Sequence, residues 1–230
     1  MTEPILKVEN LNVKLEDKEI IKNLSFNVKR GDVLTILGPN GAGKTILLKA
    51  LLGVLPYKGK IEWQKKVKIG YVPQRLPFIK ETPMSVKDFF KLKGASKEEI
   101  EKTLNSVGFE NSFLNKNIGE LSSGQFQRIL IVWALIGNPD VLFFDEPTTG
   151  IDIGGEKTIY ALLAELKEKR NLTLLLVTHD LSVVFKFSNF VICLNKCSVC
   201  QGVPKEVLSS ETLHKLYGEE VKFYEHNNKQ

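Results

Sequence analysis

The segment Gly38-Pro39-Asn40-Gly41-Ala42-Gly43-Lys44-Thr45 constrains this chain more than any other feature. It follows a short, almost wholly apolar run, Val33 to Leu37, and leads into Thr45 to Leu52, which is rich in Leu, Ile, Ala and Lys and stops at Gly53. The expected order is strand, glycine loop, helix. Glycines at 38, 41 and 43 let the backbone curl with its N–H groups inward. The following helix adds the positive end of its dipole, so phosphate oxygens meet several donors at once. Lys44 is expected to neutralise the β- and γ-phosphates of ATP, and the Thr45 hydroxyl to ligate Mg2+. A glycine connection without a ligand is the alternative, and the strand and helix on either side weigh against it.

With 230 residues, 43% of them hydrophobic, the chain can bury the core of one large α/β domain. Its net charge of +5 comes from Lys and Arg scattered along the whole length, and no basic cluster with interleaved aromatics is present, so nucleic acid is not an expected partner. The longest apolar stretch, Ile129 to Ile136, is far too short to span a bilayer. The start Met-Thr-Glu-Pro leads into an alternating pattern without a secretory signal, and a cytoplasmic location is expected. The cysteines Cys193, Cys197 and Cys200 are odd in number and do not suggest a disulfide framework.

Residues 5 to 27 alternate apolar and polar around Glu16-Asp17-Lys18, which predicts an antiparallel hairpin. Val141 to Phe144 and Leu172 to Val177 read as buried parallel strands, alternating with helical segments near 155 to 170 and 181 to 187. From Pro77 to Ile136 the strand signal gives way to helical segments, Ser85 to Leu92, Lys97 to Val107 and Gln125 to Ile136. The expected organisation is therefore one α/β domain over 1–230. Residues 1–76 and 138–230 form its parallel-sheet core with an N-terminal antiparallel β subdomain, and 77–137 an inserted α-helical subdomain.

The strand ending Val-Leu-Phe-Phe-Asp145-Glu146-Pro147 stops abruptly in two carboxylates. Ligands gather at the carboxyl ends of parallel strands, so Asp145 is expected to hold Mg2+ and Glu146 to orient or deprotonate the attacking water. His179, after the third buried strand, can donate to a γ-phosphate. Gln74 ends the last strand before the helical segments, and its amide can bind Mg2+ or water. Leu121-Ser122-Ser123-Gly124-Gln125 opens a helix with an apolar face at Phe126, Ile129, Leu130, Trp133 and Ile136, and Ser122 can cap it.

Glycine loop, Gln74, the Ser122–Gln125 segment, Asp145-Glu146, Asp152 and His179 resemble, in order and spacing, the ATP-binding cassette (ABC) family over essentially the whole chain. The resemblance implies the P-loop NTPase fold and ATP hydrolysis, with Glu146 as general base and His179 and Gln74 assisting. It also implies a head-to-tail dimer. Ser122, Ser123, Gly124 and Gln125 would act on the partner's ATP, and Asp152 would lie at the interface. This sequence departs from the family pattern in four places. Leu15 stands where an adenine-stacking aromatic is usual, so adenine contact is expected to be weaker or borrowed from Val13. Ser123 replaces the signature Gly, Ile46 replaces a hydroxyl residue after Lys44-Thr45, and Trp133 replaces a common arginine.

Single-cassette chains without membrane segments resemble detached transporter subunits. That likeness implies a separate membrane permease docking near Arg75–Leu92, a location on the inner face of the cell membrane, and an extracytoplasmic substrate-binding protein working with the permease. The tail from Cys193-Leu-Asn-Lys to Leu216-Tyr-Gly and the Val-Pro-Gln-Arg segment are similar to the zinc and manganese importer branch. A transporter of another small substrate, or a soluble non-transport ATPase, are the alternatives. The cysteines read best as small hydrophobes on a strand, where alternate residues point apart. The sharper alternative is a regulatory metal on Cys197 and Cys200 with His214 or His226.

Overall fold

In this computed structural model residues 3–16, 18–74, 83–146, 153–195 and 198–218 are described, the side chains of 153–158 and 198 excepted. Alternating burial defines β1 (Leu6–Leu15) and β2 (Lys18–Val28), as the sequence predicts. The alternation changes phase once in each strand. Leu6 and Val8 are buried, then Leu11 and Val13; Ile21 is buried, then Leu24 and Phe26. Asn10 and Asn23, both at positive φ, stand at the two phase changes and turn the following residues back onto the core face. The Asn23 N–H donates to the Asn12 side-chain oxygen at 2.9 Å, which ties the two irregular stretches together.

β3 (Val33–Leu37) is buried at every residue and runs into the glycine loop and α1 (Lys44–Leu51). β4 (Lys58–Trp63), which alternation did not single out, completes a three-stranded sheet of order β2-β1-β4. β5 (Ile69–Val72) precedes α2 (Val86–Lys91) and α3 (Lys97–Ser106), capped by Ser85 and Ser96 through the amides of Asp88 and Glu99. Two 3-10 turns, Asn111–Asn115 and Ile118–Glu120, lead to α4 (Ser123–Leu135). β6 (Val141–Asp145), α5 (Ile153–Arg170), β7 (Thr173–Thr178) and α6 (Leu181–Phe187) follow, then the hairpin β8 (Phe190–Leu194) and β9 (Ser198–Gly202). α7 (Pro204–Val207) and α8 (Ser210–Tyr217) end the described chain. Among the described residues no helix is long and apolar enough to cross a membrane.

The residues cluster in two compact units. One contains 1–6, 28–32 and 63–177, the other 7–27, 33–62 and 178–230. In the first, β5, β6 and β7 are parallel neighbours, with Tyr71 opposite Phe143 and Phe144 opposite Leu176. β6 and β7 are buried throughout, which is why they read as unbroken apolar runs. Asp140, just before β6, gathers the strand starts. Its carboxylate accepts from the Lys68 amide at 2.9 Å and from Arg30 at 2.6 Å, and its carbonyl accepts from the Thr173 amide at 3.1 Å.

In the second unit β3 and β8 are parallel and β9 returns antiparallel to β8. Leu37, Val184, Val191, Leu213 and Leu216 pack around this sheet as its core. The hairpin corrects the reading of the cysteines. Cys193 on β8 lies directly opposite Cys200 on β9, with Cα atoms 4.9 Å apart, and the two form a disulfide. Alternation separates thiols along one strand, but residues opposite one another on paired strands share a face. Cys200 is therefore not paired with Cys197 as a metal ligand; Cys197 and His226 lie outside the described residues. No group of three or more His, Cys, Asp or Glu among the described residues is placed to hold a metal ion.

Candidate functional site

The phosphate loop belongs to the second unit, and packing explains its glycines. A β-carbon on Gly38 would lie 2.1 Å from the Leu194 carbonyl oxygen, because the loop starts against the end of β8. Gly41 and Gly43 have φ of +77° and +100°, a region that L side chains rarely adopt. At Gly43 a β-carbon would also meet the Ile20 side chain at 2.7 Å. Asn40 and Gly41 are exposed at the loop tip, Pro39, Thr45 and Ile46 are half-buried, and Ala42 is buried. Lys44 is only 5% exposed, and its ammonium donates to the carbonyls of Gly38 at 2.8 Å and Pro39 at 3.0 Å. A buried cation is thus centred over the loop at the start of α1, an arrangement suited to a polyanion.

His179, in the same unit, is exposed directly after β7. Its carbonyl accepts from the Tyr217 hydroxyl at 3.4 Å, and Asp180 beside it caps α6 through the Ser182 amide at 2.7 Å. Leu15 is 44% exposed at the end of β1, whereas Val13 is fully buried. Val13 therefore has no surface to lend to an adenine ring, and the expectation that it could replace the aromatic is corrected. Leu15 keeps that position alone.

The acidic pair lies in the first unit. Asp145, the last residue of β6, is 2% exposed, and Glu146 is 9% exposed. The Glu146 amide still donates to the Val177 carbonyl at 3.0 Å, but its φ is +46°. For a residue with a side chain that conformation costs about 1–3 kcal/mol, and such strain concentrates at functional sites. The Gln74 amide nitrogen donates to the Glu146 carboxylate at 2.8 Å, so two candidates 72 residues apart in sequence meet. Tyr71, which sequence reasoning did not single out, is half-buried on β5 within the influence of the Asp145 charge. Burial, and then the Asp145 charge, push its pKa up to about 12.

The Ser122–Gln125 segment starts α4 with a capping box. Ser122 accepts from the Gln125 amide at 3.2 Å, and the Gln125 side chain accepts from the Ser122 amide at 3.0 Å. Ser122 is the cap that the sequence suggests, and Gln125 completes it. Ser122 and Ser123 are exposed and Gly124 is half-buried. Trp133, further along α4, packs against Phe89 of α2 with ring centroids 4.5 Å apart, and Lys93 lies 5.2 Å from its ring. An indole at 133 thus joins α4 to α2. Of the docking segment Arg75–Leu92, residues 75–82 lie outside the described residues, as does Asp152. Lys87 and Lys91 of α2 line a cavity of about 320 Å3 with Ile100 and Leu114, and Leu92 is 69% exposed.

Comparison with known proteins matches residues 21–149 to the ABC transporter family. The chain is 36% identical over 220 residues to the zinc import ATP-binding protein ZnuC of Pasteurella multocida (strain Pm70), covering 94% of this chain and 83% of that protein. It is 39% identical over 220 residues to a probable metal transport system ATP-binding protein of Thermotoga maritima, covering 93% and 90%. Among solved structures, cbiO1 from Clostridium perfringens, part of the ABC transporter complex cbiONQ, superposes with a TM-score of 0.79 at 30% identity, covering 93% of this chain and 94% of that one.

Proposed function

The chain belongs to the ABC transporter family as an ATP-hydrolysing subunit, and from that premise we propose that it powers uptake of a divalent metal ion, zinc or manganese, through a separate membrane permease. The relatives named for zinc import and for metal transport support the substrate class. The 2.8 Å hydrogen bond from Gln74 to Glu146 carries the catalytic reading. It gives a nearly buried carboxylate, held on a strained backbone, an amide that can hand it a water.

In this reading the loop from Gly38 to Ile46, through the backbone N–H groups that all of it but Pro39 carries, and Lys44 bind the ATP phosphates. Glu146 takes the proton of the attacking water, and His179 donates to the γ-phosphate. Asp145 and Gln74 offer a carboxylate and an amide oxygen, the hard donors that Mg2+ takes, and the Thr45 hydroxyl is the further ligand that the family resemblance implies. When bound, Mg2+ neutralises phosphate charge and polarises the phosphoryl oxygens. Ser122, Ser123, Gly124 and Gln125 serve the ATP of a second copy, with Asp152 at that interface, and the complete unit is a head-to-tail dimer. The α-helical subdomain, 77–137, carries the permease contact near Arg75–Leu92 on the cytoplasmic face of the membrane, and an extracytoplasmic substrate-binding protein delivers the ion.

Substitution Glu146→Gln tests the mechanism. ATP binding should remain at the wild-type level while turnover falls by about 10²–10⁴-fold, the usual contribution of a positioned general base. Normal hydrolysis by this variant would remove Glu146 from the mechanism. The substrate is tested by reconstituting the chain with its permease in vesicles, where ATP-dependent entry of zinc or manganese is the expected result.

A further inference from the structure

The disulfide of the second unit stands next to the phosphate loop, and none of the roles above uses it. Cys193 and Cys200 are joined across β8 and β9, with Cα atoms 4.9 Å apart. On its other side Cys193 pairs in register with Leu37, the last residue of β3 before Gly38. One residue further along β8, the Leu194 carbonyl oxygen lies 2.1 Å from where a Gly38 β-carbon would sit. The covalent link therefore holds the strand end on which the loop rests. Cys193 is fully buried, whereas Cys200 is half-buried at the margin of the same core. One sulfur of the pair can thus be reached from solvent.

We propose that Cys193 and Cys200 form a reversible thiol–disulfide site through which a dithiol reductant lowers the affinity of the loop for ATP. This rests on the reading of Gly38–Thr45 as the phosphate loop. On the cytoplasmic face proposed above most thiols are kept reduced, and a disulfide placed there is usually transient and catalytic or redox-sensing. In the reducing step a thiolate of the dithiol attacks the Cys200 sulfur, the sulfur–sulfur bond breaks, and Cys193 leaves with the electron pair and takes up a proton. The second thiol of the reductant then displaces Cys200, which is protonated in turn. The reductant ends as its own disulfide, two electrons have passed to the pair, and a disulfide of the same class reverses the step. Without the link β9 stays on β8 through noncovalent contacts alone, and the end of β8 is held less closely against the loop. The Asn195 side chain still donates to the Leu216 carbonyl of α8 at 2.9 Å, so the strand end loosens without letting go. The expected coupling is therefore at the low end of the usual range, about fivefold.

The test is titration of the full chain with a fluorescent ATP analogue, after equilibration with oxidised glutathione or with dithiothreitol, for wild type, Cys200→Ala and Cys197→Ala. Thiols of the wild type counted in denaturant should number one per chain when oxidised and three when reduced. The oxidised wild type should bind about fivefold more tightly than the reduced. Cys197→Ala should keep that difference, and Cys200→Ala should lose it and bind as the reduced protein does. Because coupling is reciprocal, saturating ATP should make the reduction potential of the pair more negative by about 20 mV, which is fivefold at about 30 mV per tenfold. A merely structural cross-link would not show that shift. Equal affinity in the two redox states, or three thiols after oxidation, overturns the proposal. No ATP binding in either state overturns instead the reading of Gly38–Thr45.

Discussion

A methyl group at position 38 would have to displace the backbone carbonyl of Leu194, which lies 2.1 Å from where that carbon would sit. A backbone atom inside a paired strand cannot swing away as a side-chain end can. Gly38→Ala should therefore cost about 1–3 kcal/mol, as overpacking does, and lower the melting temperature by roughly 2–10 °C. Nucleotide affinity should fall with it, because the loop opens at this residue. Calorimetry and nucleotide titration check this; wild-type values for both would mean that the loop does not rest on β8 as described. Much of the candidate site was legible in the sequence as local pattern. Gly38 to Thr45 and Asp145-Glu146 form local patterns whose spacing carries their meaning. The contact between Gln74 and Glu146 was not legible, since the two are 72 positions apart and only the fold brings them together. The burial of Val13 was hidden for a related reason: the phase change at Asn10 decides which side chains of β1 face the core.

Among the elements, the start of β6 bears most weight. Asp140 accepts hydrogen bonds from the Lys68 amide and from Arg30 while its backbone pairs with Lys68 and Thr173, so one residue aligns the starts of β5, β6 and β7. The Lys68 amide first, and the Arg30 guanidinium next, hold its pKa below the ordinary value of 3.8. A lowered folded value means that the ionised form favours the fold. That contribution is complete above the ordinary carboxylate range and is lost as pH falls through the lower folded value. Asp140→Asn should cost about 1–2 kcal/mol near neutral pH, given that Arg30 is partly solvated. The difference from wild type should shrink as the medium is acidified below pH 3.8. Urea melts at several pH values measure it, and a gap that stays constant into acid would contradict the assignment. At this scale the sequence located β3, β6, β7, α5 and α6 to within a few residues, because their apolar runs or periods are unbroken. It did not single out β4, whose residues Lys58–Trp63 are largely exposed and alternate only over the last four, or the cross-strand cysteine pair, which exists only once β9 folds back on β8.

At the scale of the whole molecule, the chain contains one phosphate loop and one Ser122–Gln125 segment. In the proposed function these two serve different nucleotides, so a lone chain binds ATP without completing the site that hydrolyses it. On that proposal, closing of two chains on ATP is the step that transport draws on, and Glu146 ends it by hydrolysis. That proposed assembly comes from sequence only through resemblance, since the residues of one chain do not encode the orientation of its partner. The most direct measurement is light scattering on Glu146→Gln protein at saturating nucleotide. With Mg2+ and ATP the account predicts the mass of two chains, returning to one chain when ADP replaces ATP. A single-chain mass in both nucleotides, with ATP shown to be bound, would contradict it.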